Sequence, residues 1–336
     1  MLVAVAATAQ TPTATLSHDG NVKCFYGKEA LVNAVAESAN GDYITLSSGL
    51  FTATTIEKSI TVKGAGMSAD TINHIEPTVI SGDVTISAVD VTVEGAYLSS
   101  ALTLNHYNNI KIISCTVAGS IANKNTSNKG MVNKYFIGSK SLRYSSNNYS
   151  TNSFNVGCDS INFYITNSYV KNLYNGNKNA NHIEATNSLI GFHYVYQIYN
   201  SSFTNCILWS LTGTYNYFTY SNYAYYCVGI NAPNMFNDIV AAYGTEVGIT
   251  NTNVTNFSDI FKTFTGSNQS EFEDYALTPT AASTYLGDDG TQVGIYGGSM
   301  PFNPKPNNPY ITKCKVAEKS TPTGTLSVDI EVRPAQ

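Results

Sequence analysis

Apolar residues in this chain come in short alternating runs, and the runs recur. Ile161-Asn162-Phe163-Tyr164-Ile165 leads into Thr166-Asn167-Ser168-Tyr169-Val170, and His182-Ile183-Glu184-Ala185 into Thr186-Asn187-Ser188-Leu189-Ile190. Ser202-Phe203 leads into Thr204-Asn205-Cys206-Ile207-Leu208, and Ala224-Tyr225-Tyr226-Cys227-Val228-Gly229-Ile230 closes the series with the Asn replaced. The equivalent positions Ser168, Ser188, Cys206 and Cys227 fall about 20 residues apart, a period that marks a solenoid of short strands. β-Branched and aromatic residues alternating with polar ones predict two or three strands per period and no helix. One rung cannot bury its inward side chains alone, so rungs must stack, with equivalent residues about 4.8 Å apart. The Asn then falls at a sharp corner, where it tolerates left-handed backbone angles. Asn167, Asn187 and Asn205 are expected to form a structural ladder there, each amide bonding the next rung's, with the following Ser or Cys stacked inside. The predicted fold is all-β, a right-handed parallel β-helix.

The rest of the chain is organised around that coil. Residues 1–9 end in Ala7-Thr8-Ala9, a small-x-small cleavage pattern after an apolar stretch, and read as a signal-peptide remnant. Residues 10–27 form a leader. Within 28–41, Ala30, Leu31, Ala34, Val35 and Ala39 make one helical stripe that Gly41 ends, so a cap helix is expected over the first rung. Residues 42–236 carry the rungs and 237–300 a C-terminal wrapping segment. Residues 301–336 read as a Pro-rich linker and a β-hairpin extension.

The run Gly41-Asp42-Tyr43-Ile44-Thr45-Leu46, Gly49-Leu50-Phe51 and Ile60-Thr61-Val62-Lys63-Gly64-Ala65-Gly66, after the Ala30–Ala39 helix, resembles the opening of pectin-lyase-like β-helix proteins. Gly287-Asp288-Asp289-Gly290-Thr291-Gln292-Val293-Gly294-Ile295-Tyr296-Gly297-Gly298, followed by Pro301-Phe302, resembles the C-terminal segment of secreted bacterial β-helix proteins, often from gut Bacteroidetes. The resemblance implies a fold more than a chemistry. The superfamily hosts lyases, hydrolases, epimerases, adhesins and inert shafts.

Composition narrows the partner. Charged residues are only 12% and net charge is −5, so no basic footprint argues for nucleic acid. The polar surface is Asn, Ser, Thr and Tyr, which suits neutral hydroxyl-rich ligands. No apolar stretch is long enough for a membrane span, and the chain is expected to be secreted, periplasmic or at the cell surface. Cys115, Cys206 and Cys227 sit in equivalent settings and are expected reduced and buried. Cys and His lack metal-ligand spacing, so no metal site and no cofactor are expected.

Candidate chemistry divides three ways. A polysaccharide lyase needs a base beside a uronate and positive charge for the enolate-like intermediate. Lys134, Lys140 and Arg143 are the candidates for those catalytic roles, and the resemblance implies calcium if the chain is a lyase. Asp159 and Glu184 lie about one rung apart and are expected on a common face. An inverting hydrolase needs paired carboxyls, but the only Asp-Asp is Asp288-Asp289, a turn dipeptide before Gly290. Aromatic crowding is more distinctive. Tyr194, Tyr196, Tyr215, Tyr217, Tyr220 and Trp209 are candidates for a carbohydrate platform, within a Tyr-rich segment that also holds Tyr164, Tyr169, Tyr223 and Tyr225. The function expected is non-catalytic recognition of a polysaccharide or glycoconjugate. The alternatives are a lyase and a structural, adhesin-like solenoid.

Overall fold

The computed structural model of the chain describes residues 11–69, 76–124, 130–142, 154–155, 160–174, 181–192, 201–210, 223–230, 251–266, 274–304, 310–316, 324 and 328–333. They wind into a parallel β-solenoid of about seven turns, with stacked sheets of 11, 10 and 6 strands. In the first sheet Tyr43–Leu46, Thr61–Lys63, Thr92–Glu94, Ile110–Ile113, Val132–Ile137, Ile161–Thr166, Asn181–Thr186, Ser201–Thr204 and Tyr223–Tyr225 succeed one another in parallel. Alternate residues face inward. Ile44, Val62, Val93, Ile112, Phe136, Ile165, Ala185, Phe203 and Ala224 lie in register and are all buried.

The first rung is closed in two ways. Thr13–His18 and Asn21–Tyr26 form a hairpin that pairs antiparallel onto Tyr43–Leu46. The cap helix Ala30–Glu37 buries Ala30, Leu31, Ala34 and Val35 over the end of the core. It stops short of Gly41 because Ser38 turns extended, with φ −64° and ψ 159°, while Lys58 Nζ donates to the carbonyls of Val35, Ala36 and Ser38. A lysine there satisfies orphan carbonyls and complements the helix dipole. Among the described residues no helix is long and apolar enough to cross a membrane.

The corner after each first-sheet strand explains the repeat. Gly95, Ser114, Gly138, Asn167, Asn187, Asn205 and Tyr226 occupy it in turn, all with φ between 45° and 66°. Left-handed backbone favours Gly and Asn, so their recurrence follows from geometry. The next residue points inward and, after Ala96 in the earliest of these corners, carries a hydroxyl or thiol. Ser139, Ser168 and Ser188 each accept from the backbone N–H one rung below, at 3.0, 3.1 and 3.2 Å. The Ser168 and Ser188 hydroxyls donate to the carbonyl two residues earlier, both at 2.8 Å. Cys115, Cys206 and Cys227 continue the column as buried free thiols, and burial pushes Cys115 up to about 12. That protonated thiol donates to the Ile113 carbonyl at 3.3 Å.

The Asn side chains correct one expectation. Rather than bonding each other, the amides of Asn167 and Asn205 bond the C-terminal segment. Asn167 Nδ2 donates to the Ile295 and Gly297 carbonyls at 3.1 and 2.7 Å, and Asn205 Nδ2 to Asp288 Oδ1 at 2.7 Å. Asp288 N–H donates back to Asn205 Oδ1 at 3.0 Å.

A second apolar layer lies outside the coil. Tyr169, Leu189, Ile207 and Val228 form one outward row of the second sheet. Ile260, Phe261, Phe264, Tyr275, Leu277, Val293, Ile295 and Phe302 pack over them. Thr278 caps the short helix Pro279–Thr284 within this cover, accepting from Ala281 N–H at 3.1 Å. Tyr310–Val316 and Val328–Arg333 pair antiparallel as a separate two-stranded sheet.

Candidate functional site

The outward face of the first sheet carries a continuous run of polar and aromatic side chains among the described residues. Parallel register sorts its side chains into rows along the solenoid axis. One row reads Tyr43, Thr61, Thr92, Lys111, Tyr135, Tyr164, Glu184, Ser202 and Tyr223. Beside it run Ile137, Thr166, Thr186, Thr204 and Tyr225, and on the other flank Asn133, Asn162 and His182.

The centre of this face is ordered by side-chain contacts. Tyr135 and Tyr164 stack with centroids 5.1 Å apart and planes 14° from parallel. Lys111 Nζ lies 5.9 Å from the Tyr135 ring centre, within cation–π range. Asn162 Nδ2 donates to Asn133 Oδ1 at 2.9 Å. Glu184 stands 3.9 Å from His182 Nε2 and is half exposed. Burial raises the Tyr164 hydroxyl above its ordinary value, and the neighbouring charge of Glu184 adds to the shift. Tyr164 is therefore protonated at neutral pH, with a proton to donate. Further along, Lys63 and Glu94 pair at 2.9 Å, which neutralises that stretch.

The residues singled out from sequence fall elsewhere. Trp209 is fully buried: it stacks on Tyr169 at 5.8 Å and meets Phe264 edge-on at 5.6 Å. It serves the outer apolar layer and offers no face to a sugar, which corrects its assignment to the platform. Lys134 points into the coil, fully buried, donating to the Leu104 and Asn105 carbonyls and to Asn123 Oδ1 at 3.1, 3.0 and 2.8 Å. Lys140 is enclosed under the cover, 5.5 Å from the Tyr275 ring centre and 5.3 Å from that of Phe302. Neither lysine reaches the open face, so the expected basic trio does not assemble there. Arg143, Tyr194, Tyr196, Tyr215, Tyr217, Tyr220 and Asp159 lie outside the described residues. Glu184 is on the open face, on the opposite side of the sheet from Lys134.

Asp289 sits in a turn. Its Oδ1 accepts from the Thr291 N–H and hydroxyl at 2.9 and 2.7 Å, and these bonds hold its carboxyl below the ordinary range. Among the described residues no group of three or more His, Cys, Asp or Glu side chains is placed to hold a metal ion. Lys111, Tyr135 and the Asn133–Asn162 pair were missed as site residues. Their signal was alternation within Ile110–Ile113 and Val132–Ile137, which places every second residue outward.

No protein-family model matches the chain, and no curated protein and no solved structure matches it.

Proposed function

We propose that this chain is a secreted or cell-surface β-helix protein that binds a polysaccharide or glycoconjugate, without catalysis, on the outward face of its first sheet. One observation carries the reading: Lys111, Tyr135, Tyr164 and Glu184 stand in consecutive rungs of one row, beside the Asn133–Asn162 amides. Such a face is amphipathic and rich in donors and acceptors, and its charged members Lys111 and Glu184 are of opposite sign. These properties suit hydroxylated rings with hydrogen-bonding edges. The opening run's likeness to pectin-lyase-like proteins, and the closing run's to secreted bacterial β-helix proteins, support placement outside the cytoplasm. The lyase alternative draws less support, because Lys134 and Lys140 are enclosed.

A glycan array probed with the wild-type chain and with Tyr164→Ala tests the proposal. Binding to a defined glycan class that Tyr164→Ala weakens at unchanged melting temperature supports it. Binding to no glycan, or binding that Tyr164→Ala leaves untouched, contradicts it.

A further inference from the structure

We infer that the ligand of this face is an extended β-1,4-linked glycan ribbon, lying along the solenoid axis and gripped by side-chain edges and hydroxyls rather than by ring faces. This rests on the glycan-binding reading above and adds the linkage class, the direction and the mode of contact.

The mode of contact follows from how the tyrosines are turned. Tyr135 and Tyr164 are register partners on neighbouring strands, so the vector between their rings runs along the axis. Their planes are 14° from parallel at 5.1 Å, so each ring's face is turned to the other. Lys111, the register partner of Tyr135 on the rung before, sets its ammonium over that ring at 5.9 Å, and Glu184 is the register partner of Tyr164 on the rung after. With a ring on one side and a charged rung beyond each, the pair offers a ligand above the sheet mainly ring edges and phenolic oxygens. A sugar lying flat on this face therefore meets a comb of hydroxyls and amides instead of an aromatic plate.

The direction follows from repetition. Across the sheet each strand offers only two or three outward side chains, whereas along the axis the polar row recurs rung after rung. Rungs lie about 4.8 Å apart. An extended β-1,4-linked chain advances by close to one such spacing per sugar. Each added residue then finds a further rung of Tyr, Asn, Thr or Ser. A helical α-1,4-linked or β-1,3-linked chain turns away from a flat row after a few sugars and loses the register. The Asn133–Asn162 bond keeps the flanking amides aligned with the same period.

The test is calorimetric titration of the full chain with β-1,4-linked xylo-, manno- and cello-oligosaccharides of increasing length, against malto- and laminari-oligosaccharides. The inference expects binding within the β-1,4 series, with affinity rising at each added sugar beyond the disaccharide, and at least tenfold weaker binding of the other two series. Tyr164→Phe separates the modes of contact, because it keeps the ring and removes the hydroxyl. A comb of hydroxyls predicts about a five- to tenfold loss of affinity, the worth of one hydrogen bond. An unchanged affinity in Tyr164→Phe, affinity that saturates at a disaccharide, or a preference for malto- or laminari-oligosaccharides overturns the inference while leaving glycan binding intact. Failure to bind any glycan in any series removes the underlying reading as well.

Discussion

The side-chain amide of Asn167 donates to the carbonyl oxygen of Gly297, 130 residues further along the chain, at 2.7 Å. The corner that shapes a rung thus also fastens the cover. Asn167 holds φ at 45°, and its amide also reaches the Ile295 carbonyl. Two substitutions separate these roles. Asn167→Gly keeps the left-handed backbone and leaves two buried carbonyls without their donor, a loss of about 1–3 kcal/mol. Asn167→Ala adds strain of roughly 1 kcal/mol at the positive φ. Chemical denaturation should rank wild type above Asn167→Gly and that above Asn167→Ala. Equal stability of Asn167→Gly and wild type would show that the bond to the cover contributes nothing.

Gly191 and Trp209 form a lock between the second sheet and its cover. They are register partners, and a Cβ on Gly191 would meet the Trp209 ring at 2.6 Å and the Lys171 carbonyl oxygen at 2.2 Å. Gly191 leaves the room in which the indole lies. Trp209→Ala should cost about 3–5 kcal/mol. Gly191→Ala should destabilise by displacing the same ring, so the double variant should cost less than the sum of the two. Trp209 is the sole tryptophan, so its emission in the wild-type chain reports the cover directly. Unfolding should shift the emission to the red. A red-shifted emission in the native chain would contradict the enclosure.

Lys134 offers a third test. Its ammonium is satisfied by two carbonyls and the Asn123 side chain inside the coil. Lys134→Met fills similar space and leaves those acceptors without a donor, at about 1–3 kcal/mol for each group left unsatisfied. Thermal melting should fall, and the affinity of the folded variant for any glycan should be unchanged. A loss of binding or turnover in a variant with wild-type melting would return Lys134 to the functional site.

The N-terminal hairpin is joined to the first rung by a titrating pair. His18 Nδ1 and Asp42 Oδ1 lie 2.6 Å apart. The hydrogen bond and charge of Asp42 raise His18 above its ordinary value. Burial pushes the Asp42 carboxyl up, but the Ala39 N–H and His18 outweigh it and hold it below the ordinary value. A raised histidine contributes stability that is complete below its unfolded value, about 6.5, and is lost as pH rises through the folded one. A depressed carboxyl contributes stability that is present above its unfolded value, about 3.9, and is lost as pH falls through the folded one. The contact is therefore strongest between about pH 4 and 6.5. Hydrogen exchange at Thr13–Tyr26 should be slowest there once corrected for intrinsic rates. His18→Gln should remove the acceleration on going above neutrality. An alkaline limb that persists in His18→Gln would assign it to another group.

Sequence alone reached the coil because the corner demands particular residues. Left-handed backbone followed by an inward hydroxyl or thiol writes Asn-Ser and Asn-Cys into the chain at a near-constant interval. It did not reach the face assignments, for two physical reasons. The interval varies: register partners Asn133 and Asn162 are 29 residues apart, whereas Ser168 and Ser188 are 20 apart. The pairing of Tyr135 with Tyr164 was hidden by that variation. Outward from the coil also does not mean exposed. Trp209 and Lys140 lie beneath a segment far downstream in the chain, and no local pattern announces what will cover a strand. Lys134 ran against expectation because burying a lysine requires a full set of acceptors, which Leu104, Asn105 and Asn123 supply from earlier rungs.

Hydroxyl-radical footprinting, with and without a bound oligosaccharide, reads the location of the site most directly. Protection should appear at Tyr135, Tyr164 and His182 and be absent at Trp209. Unchanged labelling at those three residues, with protection confined to other parts of the chain, would place the ligand elsewhere.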